Sequence, residues 1–408
     1  MKHVTRPETV RMISESLDAQ QRPVRSVFIS SYIPRRCGIA TFTKDLTKAI
    51  NDLNPDFLAK IVALTDAEHQ YTYPPEVHYE IHQNREDDYI QVAEAINASP
   101  VEIVCLQHEY GLFGGGETGP YILELLKRLD KPIVTTLHTI LENPGPLHRK
   151  LLQDIANLSD ILITQLPNAR ELLAKSYDIN SERIVVVHHG VADRPQARKI
   201  LKPKFGWEHK HVMLLSGLIS EGKGIEYVIQ ALPEIVKEFP DTLFVVAGQT
   251  HPNVLAERGE SYRESLVALA DSLGVAEHLQ LINEYLPLEK LLEYYEACDV
   301  YLTPHLDPQQ VSSGTLAYAI GMGKACISTP YIYAKEMLSQ DRGILVDFRN
   351  SEQIAQAALG LFSGRIPMEK MEAQAYALGR TMSWPRVAER YLNLFRLVLD
   401  VQNTLINS

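Results

Sequence analysis

The sequence predicts an α/β protein of two domains, each built around a mostly parallel β-sheet. Three observations support this prediction. Strand-like apolar runs alternate with helix-like segments along nearly the whole chain, a pattern typical of right-handed βαβ units. A segment rich in proline and charge interrupts the alternation at residues 193–204. Finally, 408 residues are too many for one ordinary core and suit two domains of roughly 150–200 residues each.

The first series of elements follows a polar extension at 1–23 and fills an expected domain at 24–195. Pro120 and Pro167 suit the first turn of a helix, where the missing N–H does no harm. Apolar runs predict strands at 26–30, 59–64, 101–106, 133–137, 161–164 and 184–187. Helical patterns lie between them at 41–50, 89–97, 120–129, 147–158 and 167–176.

The second series fills an expected domain at 205–380 and is followed by a C-terminal crossover helix within 381–408. Its predicted strands are 211–215, 243–247, 279–282, 300–303 and 325–328. Its predicted helices are 225–239, 262–273, 288–297 and 315–322, with a last helix at 384–399. Ligands of doubly wound sheets bind outside the carboxyl ends of the strands. Functional residues are therefore expected directly after strands.

Composition narrows the class of protein. A formal net charge of -11 argues against a nucleic-acid-binding protein. None of the four cysteines forms a CxxC pair, which favours a reducing, cytoplasmic compartment. The polar N-terminal segment lacks the apolar core of a secretory signal, and no apolar run approaches the ~20 residues of a membrane span. Peripheral membrane contact stays open.

The segment Gly217-Leu-Ile-Ser-Glu-Gly-Lys-Gly224 follows a predicted strand and precedes a predicted helix. Lys223 and the N–H groups at the start of that helix can bind phosphate oxygens. A Walker A loop shares the GxxxxGK spacing, but Gly224 stands where the Mg²⁺-binding hydroxyl belongs, which disfavours a P-loop NTPase. A surface turn with a solvated lysine is the other alternative.

A second candidate anion site lies at the start of the predicted helix that follows the strand at 300–303. Ser312, Ser313, Gly314 and Thr315 offer hydroxyls and unpaired N–H groups there. The alternative is a well-capped buried helix, because Ser and Thr are ordinary N-cap residues.

Polar residues also follow strands in the first domain. His108, Glu109, Tyr110 and Gly115 belong to a glycine-rich loop suited to binding the hydroxyls of a sugar acceptor, the alternative being a flexible loop. No metal site is expected, because this His-Glu pair lacks a second histidine four residues on. His138 ends a strand and is expected to be functional rather than a core histidine.

A cluster formed by Tyr71, Tyr73 and Tyr79 is attributed to loop packing rather than to a sugar site.

The order and spacing of these motifs resemble the retaining "group 1" glycosyltransferases, which form family 4 of the enzymes with the GT-B fold. The resemblance covers about 24–399. It matches the turn at 217–224 to the family's phosphate-binding turn, the segment 303–327 to its acidic motif, and His138 to the histidine that faces the donor sugar. The segment His189-Gly190-Val191 resembles the turn that closes the first domain.

The resemblance implies two Rossmann-like domains whose parallel sheets face each other across a cleft, with the C-terminal helix returning to the first domain. It implies a cytoplasmic hexosyltransferase of carbohydrate biosynthesis that moves a sugar from a UDP-, GDP- or ADP-sugar to a carbohydrate or glycolipid hydroxyl with retention of configuration. No cofactor or metal is implied. The particular acceptor and the oligomeric state do not follow.

By the same resemblance, the catalytic residues are expected to be His138 and Lys223. The nucleotide base is expected near the loop Asn283, Glu284, Tyr285 and Leu286. The residues expected to bind the donor and its phosphates are Arg35, Arg36, Gly38, Gly217, Lys223, Gln310, Ser312, Ser313, Gly314 and Thr315.

The chain departs from the family pattern at three positions. Gln310 and Tyr318 occupy the positions of the two motif glutamates, and Leu218 occupies that of the arginine usually paired with the phosphate lysine. These departures leave two alternatives open. One is a glycoside phosphorylase that uses the same cleft with inorganic phosphate, and the other is a non-catalytic nucleotide- or sugar-binding relative.

We expect Arg35 or Arg36 to replace the missing positive charge at the diphosphate. Replacing that arginine by alanine should weaken donor affinity about tenfold or more, because hydrogen bonds between charged groups are lost. Isothermal titration with the nucleotide sugar measures the effect, and Arg6→Ala in the polar extension is the control. The expectation fails if Arg35→Ala and Arg36→Ala both leave donor affinity unchanged.

Overall fold

A parallel β-sheet forms the centre of each of two units of the protein. The computed structural model describes residues 22–66, 70–194 and 196–406. Within these, the first unit holds residues 22–190 and 384–406, and the second unit holds residues 191–383.

The first unit contains a sheet of seven parallel strands among its described residues. These strands are β1 (Ser26–Ser30), β2 (Lys60–Thr65), β3 (Val77–His82), β4 (Ile103–His108), β5 (Ile133–Leu137), β6 (Ile161–Thr164) and β7 (Ile184–Val186). Their order across the sheet is β3-β2-β1-β4-β5-β6-β7. Phe28 of β1 is in register with Ile61 of β2 on one side and with Cys105 of β4 on the other. The winding therefore reverses between β1 and β4.

Helices cover both faces of this sheet. They are α1 (Gly38–Leu53), α2 (Glu86–Ala98), α3 (Ile122–Leu126), α4 (Pro146–Leu158), α5 (Pro167–Tyr177) and, from the end of the chain, α15 (Trp384–Ile406). Successive strand residues point to opposite faces, so Phe28 joins a core with α1 and α15. Val27 and Ile29 join the opposite core with α2, α3 and α4.

Helix α15 packs tightly within the first unit. Phe395 is fully buried, and its ring centroid lies 6.1 Å from that of Phe28. The hydroxyl of Tyr391 lies 2.9 Å from Oγ1 of Thr136 on β5. A Cβ atom on Gly190 would overlap the ring of Trp384, so glycine permits this close approach.

The second unit contains a sheet of six parallel strands within the described range. These strands are β8 (His211–Ser216), β9 (Thr242–Ala247), β10 (Leu279–Ile282), β11 (Val300–Thr303), β12 (Ala325–Ser328) and β13 (Ile344–Leu345). Their order is β10-β9-β8-β11-β12-β13. Met213 of β8 is in register with Phe244 of β9 and Val300 of β11, so the winding reverses between β8 and β11.

The helices of the second unit complete its core. They are α6 (Arg198–Leu201), α7 (Ile225–Glu238), α8 (Pro252–Arg258), α9 (Ser261–Ser272), α10 (Leu288–Ala297), α11 (Gly314–Gly321), α12 (Ile332–Met337), α13 (Ser351–Phe362) and α14 (Met368–Thr381). Apolar side chains of β8, β9, β11 and β12 pack against α7, α9 and α13 in one cluster. No helix in the described part of the chain combines the length and apolarity that a membrane span requires.

Several predicted elements have different bounds in the structure. Strand β3 contains Tyr79, which the sequence predicts in a loop, because polar and apolar residues alternate in this edge strand. Helix α3 begins at Ile122, after Pro120 rather than at it. The segment 193–204, which interrupts the alternation in the sequence, contains α6, whose Arg198 forms ion pairs with Asp299 and Glu372.

Four further helices are not among the elements predicted from the sequence: α8, α12, α13 and α14. The last helix, predicted to end at 399, continues to Ile406.

Replacing Phe395 by alanine should lower the free energy of unfolding of the first unit by about 3–5 kcal/mol, because a buried aromatic ring is lost and a cavity remains. In a Trp207→Phe background, the fluorescence of Trp384 during urea unfolding reports on this unit. Arg390→Ala on the exposed face of α15 is the control and should stay within about 0.5 kcal/mol. A similar small change for both variants would contradict the packing of α15 on the first sheet.

Candidate functional site

The turn after β8 is held against the segment that follows β11. The backbone N–H of Leu306 donates to the carbonyl of Gly222 at 2.9 Å. Gly217 and Gly224 have φ values of 114° and 65°, a region that favours glycine. A Cβ atom on Gly224 would clash with the carbonyl oxygen of Pro304. The predicted order of strand, glycine turn and helix is therefore present, with α7 starting at Ile225.

Lys223 lies at the end of this turn and is partly buried. Its Nζ is 3.4 Å from Nε2 of His305. Loss of water around the ammonium group lowers the pKa of Lys223 to about 8. Within the described ranges, no carboxylate forms an ion pair with it. The ammonium group is thus desolvated without an acidic partner, a state that an anion would stabilise.

The N-terminus of α11 lies beside the same turn. The Ser313 hydroxyl is the N-cap and accepts from the N–H of Leu316 at 3.2 Å. A Cβ atom on Gly217 would lie 3.4 Å from Cγ2 of Thr315. Ser312 and Gly314 flank the cap and are partly exposed. Ser313 therefore caps α11, and Thr315 lies beside the turn after β8. The N-cap role of Ser313 is compatible with an anion site at the start of this helix.

The topology explains why these segments meet. Strands β8 and β11 are neighbours at the point where the winding of the second sheet reverses. Loops that leave the carboxyl ends of two such strands diverge to opposite faces and leave a crevice between them. Gly217, Lys223 and the start of α11 follow these two strands.

The positions of the two motif glutamates are occupied by neutral, largely buried side chains. Oε1 of Gln310 lies 3.1 Å from Nδ1 of His305, and Nε2 of Gln310 donates to the carbonyl of Ser312 at 2.7 Å. Tyr318 is on α11, with its ring centroid 6.2 Å from that of Tyr295. The sequence did not single out His305; its position directly after β11 was the available signal.

The loop expected near the nucleotide base lies after the edge strand β10. Asn283, Glu284 and Tyr285 are exposed and Leu286 is buried. The side chain of Asn283 donates to Glu260 at 3.2 Å, and Glu284 pairs with Lys290 at 3.3 Å. Strand β9 separates this loop from the turn after β8.

In the first unit, His138 follows β5 and is buried with a fixed tautomer. Gln107 donates through its Nε2 to Cys105 and Thr136, so its Oε1 accepts from Nε2 of His138 at 2.9 Å. The ring of His138 packs edge-on against Phe42, with centroids 4.9 Å apart. Burial, and then the neighbouring histidines, lower the pKa of His138 to about 3. His138 is neutral with Nδ1 as its acceptor.

His108 was expected on a loop, but it is the last residue of β4. The strand continues through Gln107 and His108 because the backbone pairing with β5 extends to Leu137. Both ring nitrogens of His108 are buried and have no partner among the described residues. Its ring stacks on Phe113 with centroids 5.9 Å apart, and burial lowers its pKa to about 3.

The glycine-rich loop therefore begins at Glu109 and is closely packed. Oε2 of Glu109 accepts from the hydroxyl of Thr139 at 2.6 Å, and burial raises the pKa of Glu109. Tyr110 is buried. Gly115 has a φ of 92°, and a Cβ atom there would lie 2.7 Å from the ring of Tyr121. The loop therefore packs directly against the ring of Tyr121.

The loop after β1 holds the two predicted arginines. Nη1 of Arg35 donates to the carbonyl of Leu64 at 3.2 Å, and its Nε lies 3.5 Å from Asp66. Arg36 is exposed. Gly38 is the first residue of α1. Asp66 offsets part of the charge of Arg35.

No group of three or more His, Cys, Asp or Glu residues in the described part of the chain is placed to hold a metal ion.

Family models match both units. Residues 37–194 match the model "Glycosyltransferase Family 4", and residues 197–378 match "Glycosyl transferases group 1". The chain belongs to glycosyltransferase family 4, as its motifs indicated.

Curated relatives are distant and only partly covered. The D-inositol 3-phosphate glycosyltransferase of Rhodococcus jostii is 26% identical over 291 residues, which are 65% of this chain and 61% of that protein. The GDP-mannose-dependent alpha-(1-6)-phosphatidylinositol monomannoside mannosyltransferase of Mycolicibacterium smegmatis is 27% identical over 164 residues, 39% of this chain and 40% of that protein. The chain thus spans less than two thirds of the length of these relatives.

Solved structures confirm the predicted fold class, two Rossmann-like domains of the GT-B type. A glycosyltransferase from Rickettsia africae has a TM-score of 0.72 at 16% identity, covering 93% of this chain and 99% of that one. Sucrose-phosphate synthase from Thermosynechococcus elongatus has a TM-score of 0.74 at 13% identity, covering 93% and 100%. HepE from Anabaena, solved in complex with UDP, has a TM-score of 0.69 at 14% identity, covering 94% and 100%.

His108 should make the stability of the first unit depend on pH. Its folded pKa of about 3 lies below the ordinary histidine value of 6.5, so the unfolded chain binds a proton first and stability is lost as pH falls below 6.5. His108→Phe should reduce the slope of unfolding free energy against pH by about 1 kcal/mol per pH unit between pH 6 and 5. Urea unfolding followed by Trp384 fluorescence measures this slope.

Phe113→Leu is the control for that experiment, because it perturbs packing on His108 without removing a titratable group. It should lower stability at every pH and keep the slope. An unchanged slope in His108→Phe would show that His108 takes up protons equally in the folded and unfolded chain.

Proposed function

We propose that this chain transfers a sugar from a nucleotide-diphosphate donor to an acceptor hydroxyl, with retention of anomeric configuration. Membership of glycosyltransferase family 4 supports the class of reaction. The residues around the turn after β8 supply the physical argument for the donor side.

The desolvated ammonium group of Lys223 is the observation on which the proposal rests. A departing nucleoside diphosphate gains negative charge, which fixed positive groups and N–H donors stabilise without covalent chemistry. Lys223 is mostly protonated at neutral pH, since its pKa is about 8. We place the diphosphate between this lysine and the N–H groups of Gly314 and Thr315 at the start of α11.

The replacement of the motif glutamates by neutral residues is compatible with a diphosphate at this site. Gln310 is neutral and contacts the histidine beside Lys223, so this position does not oppose an anion there. Gly217 leaves the space beside Thr315 open for the phosphate oxygens, because it has no side chain. In this proposal the second unit binds the donor without a metal ion or cofactor.

The first unit contributes groups for sugar hydroxyls. Nδ1 of His138 is available to accept from a sugar hydroxyl, because its Nε2–H is bound to Gln107. His108 is fully buried and supports the adjacent loop, at which we propose that the acceptor hydroxyl binds. Glu109, Tyr110 and Gly115 form the adjacent loop.

The donor proposed is a UDP-, GDP- or ADP-sugar, with its base near the loop Asn283 to Leu286, and the acceptor is a carbohydrate or glycolipid. HepE was solved with UDP, and the mycobacterial relative is named as GDP-mannose-dependent. Those properties belong to the relatives and guide the choice of substrates here. Action in the cytoplasm is part of the same proposal.

Lys223→Ala should lower kcat/KM for transfer by roughly two to three orders of magnitude, because one electrostatic stabiliser of the leaving group is lost. Transfer is measured with UDP-, GDP- and ADP-sugars against a panel of sugar and glycolipid acceptors. Lys237→Ala, an exposed lysine on α7, is the control and should retain activity.

A near-unchanged rate in Lys223→Ala would contradict the proposed donor site. Activity that requires inorganic phosphate and no nucleotide sugar would replace the proposal by a glycoside phosphorylase. A nucleotide that raises Tm without turnover of any acceptor would replace it by a non-catalytic binding protein.

A further inference from the structure

His305 is held between a lysine and a glutamine, whose hydrogen-bonding groups constrain its protonation. Its Nε2 is 3.4 Å from Nζ of Lys223, and its Nδ1 is 3.1 Å from Oε1 of Gln310. The residue is 2% exposed. Its ring stacks on that of Tyr331, with centroids 5.3 Å apart and planes 17° apart.

Both neighbours require the same tautomer of His305. Nε2 of Gln310 donates to the carbonyl of Ser312 at 2.7 Å, so Oε1 faces the imidazole and can only accept. Nδ1 of His305 therefore carries the proton. The ammonium group of Lys223 can only donate, so Nε2 of His305 must be unprotonated. A neutral imidazole with the proton on Nδ1 satisfies both contacts.

We infer that His305 and Gln310 are positioning residues that orient the ammonium group of Lys223 at the phosphate site, and that glutamine rather than glutamate at position 310 keeps the imidazole uncharged. The part of this inference that concerns phosphate rests on the proposed function. The part that concerns the tautomer does not.

The identity of residue 310 matters because the hydrogen bond that Nδ1 of His305 makes affects the protonation of Nε2. A carboxylate at that position would bind Nδ1–H more strongly and would favour the doubly protonated imidazolium. Nε2–H would then point at the ammonium group of Lys223, which would have to turn away. The titratable groups that face His305 are Lys223, from the turn after β8, and Tyr331, from the segment before α12. Burial and Lys223 lower the pKa of His305 to about 3.

The first experiment reads the tautomer directly in the full chain without nucleotide. Histidine-selective ¹⁵N labelling and two-bond ¹H–¹⁵N spectra are recorded from pH 5.5 to 8, with His305→Gln used to assign the signals. We expect a protonated Nδ1 and an unprotonated Nε2 throughout this range. Gln310→Glu should convert His305 to the doubly protonated form at the acidic end.

A proton on Nε2 in the unmodified chain, or titration of His305 within that range, would overturn the inference. Because no nucleotide is present, neither result depends on the proposed function.

The second experiment measures affinity for UDP, GDP and ADP by isothermal titration at pH 7. His305→Leu removes the acceptor for Lys223 and should weaken binding of the preferred nucleotide about tenfold or more, as expected for a lost hydrogen bond to a charged group. His305→Gln places an amide oxygen near the former position of Nε2 and should restore most of the affinity. His209→Gln, an exposed histidine of the same unit, is the control.

Gln310→Glu adds a pH-dependent readout that a purely structural role would not produce. Its nucleotide affinity should fall between pH 8 and 5.5 relative to the unmodified chain at each pH. If Lys223→Ala weakens binding but the variants at positions 305 and 310 do not, the inference fails and the proposed function stands. If Lys223→Ala also leaves binding unchanged, the proposed function fails at this site.

Discussion

The backbone contact between the turn after β8 and the segment after β11 determines the rest of the candidate site. Gly222 accepts from Leu306, and Gly224 approaches the carbonyl of Pro304 so closely that any side chain would clash. Because β8 and β11 are adjacent at the reversal of winding, these two segments leave the sheet side by side. Lys223 therefore lies next to His305, although 82 residues separate them in sequence.

The two units use glutamine in the same way to fix a buried imidazole. In the first unit, Gln107 accepts from Nε2 of His138 and leaves Nδ1 as the acceptor. In the second unit, Gln310 accepts from Nδ1 of His305 and leaves Nε2 as the acceptor. Burial disfavours the charged imidazolium in both places. An amide oxygen selects a tautomer without adding a negative charge, whereas a carboxylate would favour the protonated ring.

Much of the fold could be predicted from the sequence, because apolar strands buried on both faces and the glycine turn are local signals. Edge strand β3 was missed because one-sided burial gives it an alternating polar pattern. His108 was placed on a loop because two polar residues end the apolar run, yet backbone pairing continues through them. The pairing of His305 with Lys223 and Gln310 depends on tertiary distances, which residue types alone do not encode.

The substitution of the motif glutamates has a physical consequence for the proposed donor site. A neutral Gln310 in place of a carboxylate leaves His305, and through it Lys223, without a neighbouring negative charge at this position. The lysine keeps its position through a neutral imidazole instead of an acidic partner. A lysine paired with a carboxylate would offer an incoming diphosphate a largely compensated charge. A lysine beside a neutral histidine has no negative charge from that neighbour, and burial lowers its pKa to about 8. In the proposed donor site, the ammonium group of Lys223 and the lack of an acidic partner among the described residues both favour the binding of an anion.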